Sequence, residues 1–189
     1  KKPLVRFLEE QNVFPQSQHG FRSHRSTLSQ LLEFYEQMVK DLEEGQSVDA
    51  IYLDFSKAFD KCDHSLMLRA MKQVGIGGKL GHFIFNFLTN RYQRVRVNGC
   101  DSPRTKVSSG IAQGSVLGPI GFLILVHDLP KAVQLPTRTY SFADDTKLVR
   151  QIKSKQDQQH LQEDLNKIAT WSANQNLELN FSKFQTISF

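Results

Sequence analysis

Seven consecutive apolar residues, Ile120-Gly121-Phe122-Leu123-Ile124-Leu125-Val126, follow Pro119 and stop at His127-Asp128. A run with no polar face must be covered on every side. It is too short to cross a bilayer, which takes about 20 apolar residues in helical form. Other elements must therefore wrap around it. Ser115 supplies a helix start, and Pro119 falls in the first turn, where a missing N–H is harmless. The run reads as a helix buried nearly all round. A chain of 189 residues, 39% hydrophobic with 14 Phe, can enclose it as one domain, or one domain with a lobe.

The remaining pattern supplies the wrapping. Leu28, Leu31, Leu32, Tyr35, Val39 and Leu42 share a helical face, with Ser26 or Thr27 to cap it and Gly45 to end it. Val48 to Phe55 reads as a strand with Ile51, Leu53 and Phe55 toward the core and Ala50, Tyr52 and Asp54 on the other side. Asp63 caps a helix through Leu66, Ala70 and Val74 that stops at Gly75, and Leu80, Phe83, Ile84, Phe87 and Leu88 form a second stripe. Alternation at Arg94–Val97 runs into Asn98-Gly99, a strong hairpin signal. A second hairpin spans Tyr140–Val149. Leu161, Leu165 and Ile168 mark a last helix, with Trp171 a turn later, and short strands are expected at Leu177–Leu179 and Thr186–Phe189. This order predicts an α+β fold, an antiparallel sheet with helices on one face.

Composition narrows the function. The formal charge of +5 is a mild excess, compatible with a phosphate-bearing partner. Two cysteines, Cys62 and Cys100, give neither a disulfide framework nor a zinc spacing, and six scattered histidines form no metal pattern with them. Reduced thiols and the lack of a signal segment point to the nucleus or cytoplasm rather than to secretion. The chain opens at Lys1 rather than Met, which reads as a piece of a longer product.

Four blocks carry chemistry. Leu53-Asp54-Phe55-Ser56-Lys57-Ala58-Phe59-Asp60 ends a strand with an acid and follows it with an aromatic ring. Gly110-Ile111-Ala112-Gln113-Gly114-Ser115-Val116-Leu117-Gly118-Pro119 is a Gly-rich turn that feeds the buried helix. Phe142-Ala143-Asp144-Asp145 sets two carboxylates side by side at a turn, a repulsive arrangement that divalent cations would relieve. Asn180-Phe181-Ser182-Lys183 precedes the final strand.

In this order the blocks resemble motifs A, B, C and D of reverse transcriptases, most of all those of non-LTR (LINE-type) retrotransposons. Gln18-His19-Gly20-Phe21-Arg22-Ser23-His24-Arg25-Ser26-Thr27 is similar to the upstream GFR block of that family, so the resemblance runs from about Leu4 to Phe189. It implies a polymerase palm plus part of the fingers, with the thumb absent. Residues of about 1–47 and 78–106 would be fingers-like, and about 48–77 and 107–189 palm. The activity implied is RNA-directed DNA polymerisation, the addition of dNTPs to a primer 3′-OH, with an RNA template and a DNA primer as partners and no membrane. The cofactor implied is a pair of Mg²⁺ ions, or Mn²⁺ in their stead, held by Asp54, Asp144 and Asp145. Phe59 matches the steric gate against a ribose 2′-hydroxyl, and amides near Phe55 would meet the triphosphate. Gln113 and Gly114 match residues that pack on the incoming nucleotide, and Lys183 the proton donor to pyrophosphate. Arg91, Arg94, Arg96, Arg104 and Lys106, against the single acid Asp101, would follow a nucleic-acid backbone without sequence preference. Four positions depart from the usual pattern: Ala112 stands for Pro, Phe184 for Thr, Cys62 for Val and His127 for Asn. Two other readings use the same residues: a degenerate or domesticated remnant that binds nucleic acid without catalysis, and a two-metal nuclease. Oligomeric state is not encoded in these patterns.

Overall fold

The computed structural model describes residues 2–189. The chain runs through helices α1 (Lys2–Glu10) and α2 (Thr27–Glu43), strand β1 (Ser47–Leu53), the single turn α3 (Ala58–Lys61), and helices α4 (His64–Gln73) and α5 (Gly78–Leu88). Four two-residue strands follow: β2 (Tyr92–Gln93), β3 (Arg96–Val97), β4 (Cys100–Asp101) and β5 (Thr105–Lys106). Then come α6 (Gly118–Leu125), a 3₁₀ turn at Leu129–Ala132, β6 (Arg138–Phe142), β7 (Asp145–Ile152) and α7 (Lys155–Asn174). A 3₁₀ turn at Phe181–Lys183 and strand β8 (Gln185–Ser188) close the chain.

The frame is an antiparallel sheet in the order β6-β7-β1-β8. Helices α4, α6 and α7 cover one face. The apolar run behaves as its composition demands, with Phe122 and Ile124 fully enclosed and every residue from Ile120 to Val126 buried. Helix α6 starts at Gly118 rather than at Ser115, whose hydroxyl accepts the Gly118 N–H at 3.0 Å from just ahead of the first turn. Gly121 lets α4 close in, since a Cβ there would meet Met67 Sδ at 3.0 Å. Asp63 caps α4 as its position suggested, accepting from Ser65 N at 2.8 Å and Leu66 N at 3.0 Å.

Helix α2 forms where expected, but its expected apolar face is largely bare: Leu28 is 62% and Tyr35 58% exposed. It lies on the sheet face opposite the main helical layer and buries Phe34 and Met38 against Val48, Ala50, Tyr140 and Val149. Asp41 is buried with them because Arg138 pairs with it and the Gln37 and Gln151 amides donate to it. These side-chain partners make a polar position buriable, which periodicity alone does not reveal. Leu177–Leu179 makes one bridge, Leu179 to Phe55, instead of a strand, because the chain soon tightens into the 3₁₀ turn. No helix among the described residues is long and apolar enough to cross a membrane.

Candidate active site

Sheet register brings the acids to one end of the molecule. Leu53 pairs with Thr146 across β1 and β7, and Phe142 pairs with Asp145 across β6 and β7. One further step along the first register sets Asp54 opposite the Asp144-Asp145 turn. Burial pushes the Asp144 carboxyl above its ordinary range, and the neighbouring charges of Asp145 and Asp54 push it the same way. Asp54 and Asp144 are half-buried and Asp145 is exposed. Asp54 Oδ2 is buried without a hydrogen bond, and its nearest cation is Lys183 Nζ at 3.2 Å, a distance that makes an ion pair without aligned hydrogen-bond geometry. The main chain holds that pair in place: Asn180 N donates to Asp54 O at 2.8 Å and Ser56 N to Glu178 O at 2.7 Å.

A buried carboxylate oxygen countered only by the Lys183 ammonium, beside a carboxyl that resists ionisation, is a donor set that a divalent cation would fit. Among the described residues no three His, Cys, Asp or Glu side chains close into a cage by themselves.

The Gly-rich loop is docked on the turn after β1. Gly110 N donates to Cys62 O and Ile111 N to Phe59 O, both at 2.8 Å, and Gln113 Nε2 donates to Asp60 Oδ1 at 2.9 Å. Gly110 has φ of +80°, and a Cβ there would lie 2.5 Å from Asp60 O. Gly114, at +75°, has open space around it. Phe59 is half-buried, stacked on Phe122 with centroids 4.4 Å apart and meeting the edge of Phe21 at 6.1 Å. The Phe55 ring goes into the core against Trp171. Cys62 is fully buried, its thiol pushed up to about 12 mainly by burial, so it is chemically quiet.

The cationic segment forms a double hairpin, β2 with β5 and β3 with β4, and Asn98 and Gly99 turn it with positive φ. Three of its cations have internal partners. Arg91 donates to Leu88 O and Gly110 O, while Arg94 and Arg96 converge on Asp101. Arg104 and Lys106 make no ion pair among the described residues, and Lys106 joins Arg91, Asp60 and Gln113 around a cleft of about 750 Å³.

Two residues assigned no role from sequence stand at the acid turn. Gln18 is 3% exposed and its amide grips Ala143, with Ala143 N donating to Oε1 at 2.8 Å and Nε2 donating to Ala143 O at 3.0 Å. Gly20 packs so closely that a Cβ would sit 2.3 Å from Ala143 N. Their signal was the GFR-like block. Its other members tie the block down: Arg22 to Glu9 and Pro15 O, Arg25 to Gln16 O, and His19 to Ser29 and Glu33.

Comparison with known proteins follows the same lines. Residues 1–188 match the family described as reverse transcriptase (RNA-dependent DNA polymerase). The probable RNA-directed DNA polymerase from transposon X-element of Drosophila melanogaster is 28% identical over 98% of this chain and 21% of its own length. The RNA-directed DNA polymerase from the mobile element jockey, also of Drosophila melanogaster, is 28% identical over 94% of this chain and 20% of its own. A Pol polyprotein from the type-1 retrotransposable element R2 of Popillia japonica is 31% identical over 56% of this chain and 19% of its own. The chain thus spans about a fifth of the length of these relatives. Among solved structures, apo telomerase from Candida tropicalis, truncated from its C-terminal domain, superposes with a TM-score of 0.72 at 15% identity, covering 99% of this chain and 40% of that one. Telomerase from Candida albicans, in complex with a fragment of telomeric RNA, gives 0.72 at 11% identity, over 98% and 34%. The fold is therefore that of a polymerase palm with part of the fingers, and by ancestry this chain belongs to the reverse transcriptase family, with non-LTR retrotransposon polymerases among its relatives.

Proposed function

We propose that this chain forms the chemical centre of an RNA-directed DNA polymerase, which adds dNTPs to a primer 3′-OH along an RNA template. The observation that carries the reading is the sheet register that sets Asp54 opposite the Asp144-Asp145 turn, with Asp54 Oδ2 buried and countered only by Lys183 Nζ at 3.2 Å. Asp54, Asp144 and Asp145 would hold two Mg²⁺ ions. When bound, such ions activate the primer hydroxyl and neutralise the triphosphate and the departing pyrophosphate.

The chain's own residues supply the rest. Lys183, kept near Asp54 by the 3₁₀ turn, can pass a proton to pyrophosphate. Phe59, backed by the buried Phe122 ring, is a stiff wall that would collide with a 2′-hydroxyl. Gln113, oriented by Asp60, and Gly114 line the approach of the nascent base pair. Arg104 and Lys106 have their charge free for a template backbone, while Arg91, Arg94 and Arg96 would first have to share theirs with internal partners. The division into fingers-like residues of about 1–47 and 78–106, with palm for the remainder, belongs to this reading, as does a nuclear or cytoplasmic place of action.

Primer extension on poly(rA)/oligo(dT) in Mg²⁺ tests it. The expected result is incorporation that Asp144→Ala reduces to background. No incorporation by the folded chain, alone and exchanged into the matching segment of the jockey polymerase, would refute it.

A further inference from the structure

The acid turn is at the edge of the sheet, because β6 is the outermost strand. Ala143 lies in the β6–β7 turn, past the last paired residues Phe142 and Asp145, so no neighbouring strand takes its N–H and C=O. It also adopts φ of +57°, a left-handed conformation that disfavours residues with a Cβ. The segment before α2 makes up for both. His19 N donates to Ser141 O at 2.9 Å and Ser141 N to Ser17 O at 2.8 Å, which docks this segment along β6. The Gln18 side chain then reaches past the end of the strand. Its primary amide takes both polar groups of Ala143 and imitates the peptide pair of an adjacent strand. Its Oε1 also accepts Gly20 N at 2.7 Å, so all but one of the amide's hydrogen-bonding directions are used. A side chain this polar is buried at a cost unless such partners exist.

We infer that Gln18 is a positioning residue for the metal-holding acids: it fixes the Ala143 peptide in its left-handed conformation and so presents Asp144 to Asp54 in one orientation. If Ala143 relaxes toward the right-handed or extended region, the next peptide rotates and carries the Asp144 carboxyl with it. The inference rests on the metal-centre reading above, and its test separates the two.

Mn²⁺ serves as the probe, with binding followed by electron paramagnetic resonance on the whole chain and folding followed by thermal melting in EDTA. Gln18→Met keeps the length and removes the hydrogen bonds. Ser17→Ala loosens the same segment, by removing the partner of Thr139 Oγ1, without touching Ala143. Gln18→Met should raise the half-saturating Mn²⁺ concentration by about tenfold or more, the usual effect of losing an outer-shell partner. Ser17→Ala should leave it unchanged. Unchanged affinity in folded Gln18→Met overturns the inference alone. No saturable Mn²⁺ binding by the unsubstituted chain overturns the metal-centre reading and this inference together. If Gln18→Met does not fold, Gln18→Glu keeps the accepting bonds and loses only the donation to Ala143 O. Weaker Mn²⁺ binding despite its added negative charge supports positioning, and equal or tighter binding overturns it.

Discussion

Gly20→Ala tests how tightly the acid turn is seated. An ideal Cβ at that position would lie 2.3 Å from Ala143 N, 2.9 Å from Ala143 Cα and 3.0 Å from Gln18 Oε1. The first two atoms are main chain, so no rotamer change relieves the clash. One backbone must retreat by about 1 Å to restore ordinary contact. A retreat of that size stretches the 2.8 and 3.0 Å bonds between Gln18 and Ala143 beyond useful length. Two such bonds contribute about 0.5–1.5 kcal/mol each. Overpacking adds about 1–3 kcal/mol, for a total of about 2–6. For a chain of this size each kcal/mol lowers the melting temperature by about 2–4 °C, so a mid-range loss of about 4 kcal/mol means about 8–16 °C. Thermal and urea denaturation in EDTA would measure it. Gly81→Ala is the control: its Cβ would meet nothing nearer than Ile76 O at 3.6 Å, and inside α5 it should gain up to about 1 kcal/mol. A Gly20→Ala chain that melts within about 2 °C of its parent would refute the close-seating argument.

Two glycines of the Gly-rich loop should separate steric from conformational demand. Gly114→Ala meets open space and should cost only its left-handed φ, about 1 kcal/mol, whereas Gly110→Ala also drives a Cβ to 2.5 Å from Asp60 O and should cost about 2–4 kcal/mol. Equal losses in urea denaturation would contradict this. Asp144→Asn should stabilise the metal-free chain near neutral pH. The folded-state pKa of Asp144 is raised, so below its ordinary value of 3.8 the carboxyl is protonated in both states and carries no penalty; as pH rises through the folded value, the folded chain must ionise a half-buried group beside two acids, and stability is lost. The advantage of Asn, read as a difference in melting temperature in EDTA, should therefore grow from acid toward neutral pH. An advantage that is constant with pH would refute the electrostatic account.

What could be read in advance follows from where each signal resides. The α6 run, the Asp63 cap, the Asn98-Gly99 turn and the strand that leads up to Asp54, expected over Val48–Phe55 and found over Ser47–Leu53, are local: composition and period decide them. The apolar stripe of α2 was misleading because the helix is seated by Phe34 and Met38 together with Asp41, whose burial depends on Arg138 and Gln151, about a hundred residues away. No window of sequence contains such a pair. The acids Asp54, Asp144 and Asp145 stood out through the ordered blocks that resemble motifs A and C of reverse transcriptases, since a carboxylate at a strand end or turn is common by itself. Gln18 did not, since a glutamine has no fixed meaning until its amide is seen to meet Ala143. Asp60 escaped notice for the same reason, its role being to orient Gln113.

Three acids at one end of a sheet repel one another, and a hairpin tip is a soft place to hold that repulsion. The fold opposes it with main-chain bonds from outside the hairpin. Asp54 is tied through its carbonyl to Asn180 N, the strand before the turn through Ser141 to Ser17 and His19, and Ala143 through both of its polar groups to Gln18. None of these ties uses an acidic side chain. Apart from the Lys183 ion pair on Asp54, the carboxylates are thus left free to bind while their backbone is held, which is the condition for electrostatic pre-organisation. It also follows that neutralising an acid should not unfold the site: the repulsion goes and every anchor remains. Activity and stability should move in opposite directions at Asp144 and in the same direction at Gln18 and Gly20, because the first contributes charge and the other two hold the charge in position.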